Sequence, residues 1–167
     1  MVAMEKINTA DDSVLRRAAM EFLARREHSA HELETKLNRK FSAVSPTQVL
    51  NVLSRLTAEG LQSDERYTES RIRYRQERGF GYHNIRTDLI SKGVRPILID
   101  QMLHPEDDCW VSKARELVKN RLSPAEENNI ARIRFGSPEH IKLMRFLESR
   151  GFARRDIGIA LEGILIT

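Results

Sequence analysis

The chain has little cysteine and no long apolar run. Cys109 is its single cysteine, so an internal disulfide is excluded and a reducing compartment is the simplest expectation. No uninterrupted stretch of about eighteen apolar residues occurs, so we expect no membrane-spanning helix. The first residues carry no basic patch followed by an apolar run, so we expect no signal peptide. Together these absences predict a soluble, cytoplasmic protein.

Aromatic residues are also scarce, at 6% of the 167 residues, against 40% hydrophobic and 31% charged residues. This balance predicts thin elements, each of which buries one apolar stripe. No stretch of five or more residues alternates convincingly between polar and apolar side chains, as a half-buried strand would. We therefore predict an all-α fold.

Recognisable catalytic motifs are missing. The glycine pair around Phe80 has no preceding strand, which a phosphate-binding loop needs. His28 and His31 lie beside Glu27 and Glu32, but no third ligand with metal-site spacing follows. We expect a capped helix start with exposed histidines, and no metal, cofactor or enzymatic activity. A hydrolase that uses His28 or His31 is kept as an alternative.

Positive charge, in contrast, is plentiful. Lysine and arginine number 28 against 24 acidic residues, and 21 of the 28 are arginine, whose planar guanidinium suits phosphates, carboxylates and aromatic faces. Residues 71 to 95 hold seven basic side chains against Glu77 and Asp88. Such a surface favours an anionic partner, either nucleic acid or an acidic protein face. A solvated helix face is the ordinary alternative.

One pattern occurs three times, in "FLARREHSAHELETKL", "YRQERGFGYHNIRTDL" and "FLESRGFARRDIGIAL". With Arg26, Arg78 and Arg150 in register, an aromatic residue lies four positions before each arginine. An aliphatic residue lies seven positions after it, and a leucine lies eleven positions after it. For Arg26 these three residues are Phe22, Leu33 and Leu37. For Arg78 they are Tyr74, Ile85 and Leu89, and for Arg150 they are Phe146, Ile157 and Leu161.

This spacing predicts a hairpin of two helices. The aromatic residue and the arginine share one face at the end of the first helix, and the two aliphatic residues share one face of the second. Gly79 and Gly151 lie where a helix C-cap favours left-handed backbone. In the first copy, Ser29 and Glu32 form a capping box.

The remaining segments also read as helices. Residues 94–103 and 106–122 are predicted to form two of them, the second with Trp110, Ala114 and Leu117 or Val118 buried. Pro46 begins another, which buries Val49, Leu53 and Leu56 and ends at Gly60. Serine–proline start signals lie at Ser45-Pro46, Ser123-Pro124 and Ser137-Pro138.

The repeat predicts the architecture. Successive template arginines are 52 and then 72 residues apart, which fits one extra helix before the third hairpin. One hairpin cannot bury its apolar stripe alone, so hairpins must stack. We predict an elongated tandem array of three-helix units. Residues 1–13 form an acidic tail, 14–63 unit one, 64–104 unit two, and 105–167 unit three with the extra helix.

Basic residues of the second and third hairpins are the candidate binding site. Arg71, Arg75 and Arg78 follow each other at i, i+4 and i+7 on one helix face. For the arginines that the repeat places in register (Arg26, Arg78 and Arg150), a structural role has the same weight as binding: they would donate to the carbonyls at the end of the first helix. Binding is favoured for Arg71, Arg73, Arg75 and Arg155, which the template does not require. The full candidate set is Arg71, Arg73, Arg75, Arg78, Arg86, Lys92, Arg145, Arg150, Arg154 and Arg155.

Three segments resemble the bacterial RecX recombination regulators. They are "FLARREHSAHELETKL", "GLQSDERYTESRIRYRQERGFGYHNIRTDLISKGV" at residues 60–94, and "RFLESRGF". Trp110 after an acidic pair also fits that family. The resemblance runs from about Val14 to Leu161 and leaves out the connection "NRKFSAVSPT". The first hairpin departs from the family's glycine–aromatic turn, because Glu27-His28 stands there.

The resemblance implies a fold and a function. Members of that family consist of three tandem three-helix units and are not enzymes. They lie along the groove of the RecA recombinase filament on DNA and damp its ATPase, strand-exchange and repressor-cleavage-promoting activities. The central basic hairpin would face the filament or its DNA. Some members bind DNA directly, so the resemblance adds single- or double-stranded DNA as a candidate partner. A stand-alone, non-specific DNA-binding module is the alternative. We expect a monomer.

Overall fold

The computed structural model describes residues 11–122, 133–162 and 165–166. These residues form nine α-helices and one pair of two-residue strands, so the predicted all-α helical repeat is confirmed. Residues 1–10 of the predicted tail and the start signal at Ser123-Pro124 lie outside the described residues. The helices are α1 Asp12–Leu23, α2 Ala30–Lys40, α3 Pro46–Ala58, α4 Asp64–Glu77, α5 Tyr82–Ser91, α6 Pro96–Met102, α7 Cys109–Arg121, α8 Pro138–Ser149 and α9 Arg154–Glu162; the strands are β1 Ile133–Arg134 and β2 Leu165–Ile166.

The chain forms two compact units. Unit 1 comprises Met1–Ser70 and Ile90–Leu98, and unit 2 comprises Arg71–Leu89 and Ile99–Thr167. The boundaries between the units fall inside α4, α5 and α6. The residue ranges of the three repeat units stay a prediction.

In unit 1 the core lies among α1, α2 and α3. Leu33 and Leu37, the aliphatic pair of the first hairpin, are fully buried there. Val49, Leu53 and Leu56 of α3 are buried as well, so both apolar stripes read from the sequence face the core. Burial of a leucine-sized side chain is worth about 1.5–3 kcal/mol, so these stripes, together with Leu15 of α1, stabilise the packing of the three helices.

The core of unit 2 is built from the other two hairpins and α7. Ile85 and Leu89 of α5 are fully buried, and so is the matching aliphatic pair of α9. On α7, Trp110 is buried and its Nε1 donates to the His104 carbonyl at 2.8 Å. Of the two alternatives for the last buried position on α7, Val118 is the one buried.

Helix ends follow the predicted chemistry. Gly79 and Gly151 have φ of 76° and 86°, in the left-handed region that a C-cap glycine supplies. Three serines accept a hydrogen bond from the backbone N–H three residues on, as N-caps do. The pairs are Ser29 with Glu32, Ser45 with Gln48, and Ser137 with His140.

Two helix starts differ from the predicted ones. The helix expected from residue 94 begins at Pro96, because the residue before a proline is disfavoured in helical conformation. The helix expected from residue 106 begins at Cys109, whose N–H donates to the Asp107 carboxylate at 2.8 Å. The parallel pairing of β1 with β2 was not predicted, because two residues are too few to show alternation.

The turns of the second and third hairpins lie against each other in unit 2. The N–H of Gly81 donates to the Arg150 carbonyl at 2.9 Å, and the N–H of His83 donates to the Gly151 carbonyl at 3.0 Å. A Cβ at Gly81 would lie 2.6 Å from the carbonyl oxygen of Gly151, and a Cβ at Gly151 would lie 2.5 Å from the backbone nitrogen of Asn84. Both turns therefore need glycine so that the two backbones can approach.

Candidate functional site

Arg71 is held inside unit 2 by a carboxylate. Its Nε and one terminal nitrogen donate to the two oxygens of Asp88 at 2.7 and 2.9 Å, a bidentate pair that joins α4 to α5. The side chains are only 23% and 14% exposed. Since a shielded bidentate pair is a strong link, Arg71 stabilises the second hairpin whatever else it contacts.

Arg75 has a similar internal role. Its guanidinium lies 3.8 Å from the centroid of the Phe80 ring and also donates to the Asn84 side-chain oxygen. Both contacts join α4 to the turn and to the first residues of α5. Binding was favoured for Arg71 and Arg75 from the sequence, because the template does not require either. The structure gives both of them packing partners that the spacing could not reveal.

Arginines and aromatic rings alternate across the second and third hairpins. The Arg150 guanidinium lies 5.1 Å from the Phe80 centroid and 5.5 Å from that of Phe146. Arg121, at the end of α7, lies 4.2 Å from the Phe146 centroid. We call Arg75, Phe80, Arg150, Phe146 and Arg121 the arginine–aromatic cluster. Each such contact is worth about 0.5–2 kcal/mol, depending on its exposure.

A second stack lies on the exposed side of α4. Tyr74 is 47% exposed, and its ring centroid lies 5.6 Å from the guanidinium of Arg71 and from that of Arg78. Arg78 and Arg73 are exposed. Arg78 and Tyr74 therefore present cationic and aromatic groups to solvent next to the cluster, whose Arg150 donates to the Arg78 carbonyl at 3.2 Å.

The other candidate residues do not all join this surface. Arg86 pairs with Asp100 at 3.3 Å, and Arg154, which is 90% exposed, pairs with Glu148 at 3.2 Å. Arg145 is exposed on α8. In unit 1, Lys92 pairs with Glu32 at 3.6 Å. In unit 2, Arg155 pairs with Glu106.

The three template arginines differ in what they bond. Arg26 lies three residues after α1, and not at the end of that helix as predicted, and it donates to the carbonyl of Glu27 and to the Glu32 carboxylate. Arg150 instead reaches the Arg78 carbonyl at the end of α4, where a cation complements the helix dipole. Sequence reasoning missed Arg121 and the stacking role of Phe146. The template placed Phe146 on one helix face with Arg150, which their contact at 5.5 Å fits, but it gave no sign of Arg121, because no repeat marks that residue.

His28 is buried, at 2% exposed, which corrects the expectation of two exposed histidines. Its Nδ1 donates to the Arg26 carbonyl at 3.0 Å, and its Nε2 accepts from Lys36 Nζ at 2.8 Å. Both ring nitrogens are therefore occupied, as in a neutral imidazole. Burial lowers the pKa of His28 below its ordinary value, and the nearby charges of Arg26 and Lys36 lower it further. This geometry fits a packing role and leaves no ring nitrogen for hydrolysis.

The lowered pKa of His28 has a consequence for stability. In the unfolded chain His28 takes up a proton at a higher pH than in the folded one, so acidification from about pH 7 to pH 5 favours unfolding. We expect His28→Asn to remove part of this pH dependence of the melting temperature. His31→Asn is the control, because His31 is exposed on the same hairpin. If the melting temperature depended on pH in the same way in the wild type and in His28→Asn, protonation of His28 would not be the cause.

Cys109 is a poor nucleophile in this structure. Burial, together with Asp107, raises the pKa of the Cys109 thiol to about 11, so it is protonated and a weak nucleophile at neutral pH. No group of three or more His, Cys, Asp or Glu side chains within residues 11–122 and 133–162 is placed to hold a metal ion. Among the helices of that same part of the chain, none is long and apolar enough to cross a bilayer.

Fold and site together define a class: an all-α helical-repeat protein with an arginine-rich surface. The family model for the second three-helix domain of RecX matches residues 63–103. Regulatory protein RecX of Pseudomonas tolaasii is 35% identical over 149 residues, which is 89% of this chain and 90% of that protein. Regulatory protein RecX of Legionella pneumophila (strain Corby) is 38% identical over 137 residues, covering 82% of this chain and 85% of that protein.

A solved structure shares the fold. The crystal structure of RecX from Lactobacillus salivarius superimposes with a TM-score of 0.74 at 20% identity, covering 92% of this chain and 96% of that chain. At that identity the likeness concerns the fold alone. The sequence relatives carry the family assignment, and the resemblance read from the sequence is confirmed. The chain belongs to the RecX family of regulatory proteins.

Proposed function

We propose that this protein is a non-enzymatic modulator, mainly an inhibitor, of the RecA recombinase. It binds the RecA–DNA filament and damps ATP hydrolysis, strand exchange and the co-protease activity, and so regulates DNA repair. The observation that carries the proposal is the arginine–aromatic cluster, with Tyr74 and Arg78 beside it, in a chain of this family. The partner would place the protein in the cytoplasm, and a monomer is enough to present the surface.

Arginine and aromatic side chains are suited to such a contact. They are enriched among the residues that dominate the binding energy of protein interfaces, and guanidinium groups pair with carboxylates or phosphates of a partner. Rings already hold several of these guanidinium groups in the unbound protein. Less side-chain freedom is therefore lost on binding, which favours affinity.

Internal partners divide the ten candidate residues into two groups. Arg71 and Arg75 position the surface through Asp88 and Asn84. We propose that the exposed side chains make the contact itself, with Arg78 and Arg121 at the two edges of the stacked groups. The other proposed contacts are Arg73, Arg145 and Arg150. Four residues are weaker candidates because acidic side chains pair with them: Arg86, Lys92, Arg154 and Arg155.

The direct test is ATP hydrolysis by a RecA filament on single-stranded DNA, titrated with this protein while co-sedimentation records binding. We expect the rate to fall as the filament becomes occupied. An unchanged rate at full occupancy would contradict the proposal. A parallel binding experiment with DNA alone addresses the stand-alone DNA-binding alternative, which fails if the filament is bound tightly and DNA only weakly.

A further inference from the structure

The first hairpin carries a second group of cations, in unit 1, around an aromatic ring. The Nζ of Lys36 lies 4.8 Å from the Phe22 centroid, and the Nζ of Lys40 lies 5.9 Å from it. Lys40 also lies 5.5 Å from the Phe41 centroid. The turn after α1 and the end of α2 add three arginines. We call Arg25, Arg26, Lys36, Arg39 and Lys40 the first-hairpin cation cluster.

Acidic side chains balance only part of this charge. Glu32 pairs with Arg26 at 3.0 Å, and Glu21 lies 3.8 Å from Lys40. Arg25 and Arg39 are exposed, and within residues 11–122 and 133–162 neither has an ion-pair partner. The cluster thus sets five cations against two carboxylates and leaves two guanidinium groups directed to water.

Crowding of these charges is visible at Lys36. Burial lowers the pKa of its ammonium group most, and the charges of Arg26, Arg39 and Arg25 lower it further, while Glu32 acts in the opposite direction. The arginines are therefore close enough to repel Lys36. An anion bound over the cluster would relieve this repulsion, which favours binding of a multiply charged ligand.

We propose that the first-hairpin cation cluster is a binding site for the backbone of single-stranded nucleic acid. Arg25 and Arg39 would contact phosphates, and Lys36 and Lys40 would add charge beside the rings of Phe22 and Phe41. This site lies in unit 1 and shares no residue with the arginine–aromatic cluster of unit 2. It is independent of the proposed contact with the recombinase.

Nucleic acid fits the arrangement better than an acidic protein segment does. Single strands are bound where basic side chains follow the backbone and aromatic rings lie between them, because phosphates and bases alternate along the strand. Phe22 and Phe41 are each half-buried beside a lysine, so charge and apolar surface alternate here as well. An acidic peptide would use the charges but not the rings.

The test is fluorescence anisotropy of a labelled oligo(dT) of about 30 nucleotides, with the full chain and no recombinase. We expect Arg25→Ala/Arg39→Ala to weaken binding about tenfold and to lower the log–log salt slope by about 1.4, that is about 0.7 for each lost phosphate contact. Lys113→Ala/Lys119→Ala on α7 removes the same charge outside both clusters and should bind within about twofold of the wild type. Arg25→Lys/Arg39→Lys should recover most of the affinity.

Three results would contradict the proposal that this cluster binds single-stranded nucleic acid. One is unchanged oligo(dT) affinity in Arg25→Ala/Arg39→Ala when circular dichroism shows wild-type helicity. Another is an equal loss in the α7 control, which would mean that net charge alone matters. A third is competition by poly-glutamate as effective as that of unlabelled oligo(dT). Because the assay contains no RecA, the loss or retention of binding in these variants does not test the filament contact, and an unchanged ATPase rate does not test this site. The wild-type oligo(dT) affinity is, in addition, the value that is compared with filament affinity for the stand-alone DNA-binding alternative.

Discussion

Replacing Gly151 with alanine is expected to lower the free energy of unfolding by about 3–4 kcal/mol. The backbone at Gly151 is left-handed, with φ of 86°, which alone costs an alanine about 1–2 kcal/mol. The new Cβ would also lie 2.5 Å from the backbone nitrogen and the Cβ of Asn84. Backbone atoms cannot move aside as a flexible side-chain end can, so the turns of the second and third hairpins would have to separate.

Gly136→Ala is the matched control. Gly136 also has a left-handed φ, of 79°, but a Cβ there would meet nothing within 4 Å. Only the conformational cost remains, and we expect a loss of about 1 kcal/mol. Urea unfolding followed by circular dichroism measures both values. Equal losses in the two variants would show that the close approach of the hairpin turns contributes nothing to stability.

Replacing Arg71 with methionine is expected to cost about 2–3 kcal/mol of unfolding free energy, because it leaves the shielded Asp88 carboxylate without its bidentate partner. Arg154→Met is the control. Arg154 is 90% exposed and also pairs with a carboxylate, and exposed pairs contribute about 0–1 kcal/mol. Asp88→Asn should show a strong coupling with Arg71→Met in a double-mutant cycle.

The result that would refute this role is an Arg71→Met variant as stable as Arg154→Met. The distinction matters for binding experiments. If the Arg71–Asp88 pair joins α4 to α5, lost filament binding in an Arg71 variant reports a damaged hairpin and cannot identify a contact. Arg78 and Arg121 are better probes, since both are exposed and their stacking contacts are worth only about 1 kcal/mol each.

Features that depend on local spacing could be predicted from the sequence. Aliphatic pairs four residues apart, such as Ile85 with Leu89, turned out buried because a helix places them on one face. Left-handed backbone at Gly79 and the N-cap at Ser29 follow from rules that involve only a few neighbouring residues. The three copies of the hairpin pattern then predicted the all-α helical-repeat architecture.

Features that depend on distant partners could not be predicted. No local rule places Asp88 beside Arg71, or Arg121 beside Phe146, which is 25 positions away in the sequence. His28 was expected to be exposed because it adjoins a helix start. It is buried, and Lys36, two turns along α2, donates to its Nε2 at 2.8 Å. The candidate set stays a prediction, and the sequence alone could not separate arginines with internal partners, such as Arg71, from exposed ones, such as Arg78.

The contact between the exposed arginines of unit 2 and the RecA filament is tested most directly by ATP hydrolysis. The experiment compares Arg78→Ala/Arg121→Ala with Lys113→Ala/Lys119→Ala as inhibitors of a RecA filament on single-stranded DNA. Both variants remove two positive charges from unit 2. If the exposed arginines beside the stacked rings contact the filament, the concentration for half-inhibition should rise about tenfold or more for the first variant and stay near the wild-type value for the second. Equal inhibition by both variants at wild-type helicity would contradict the account.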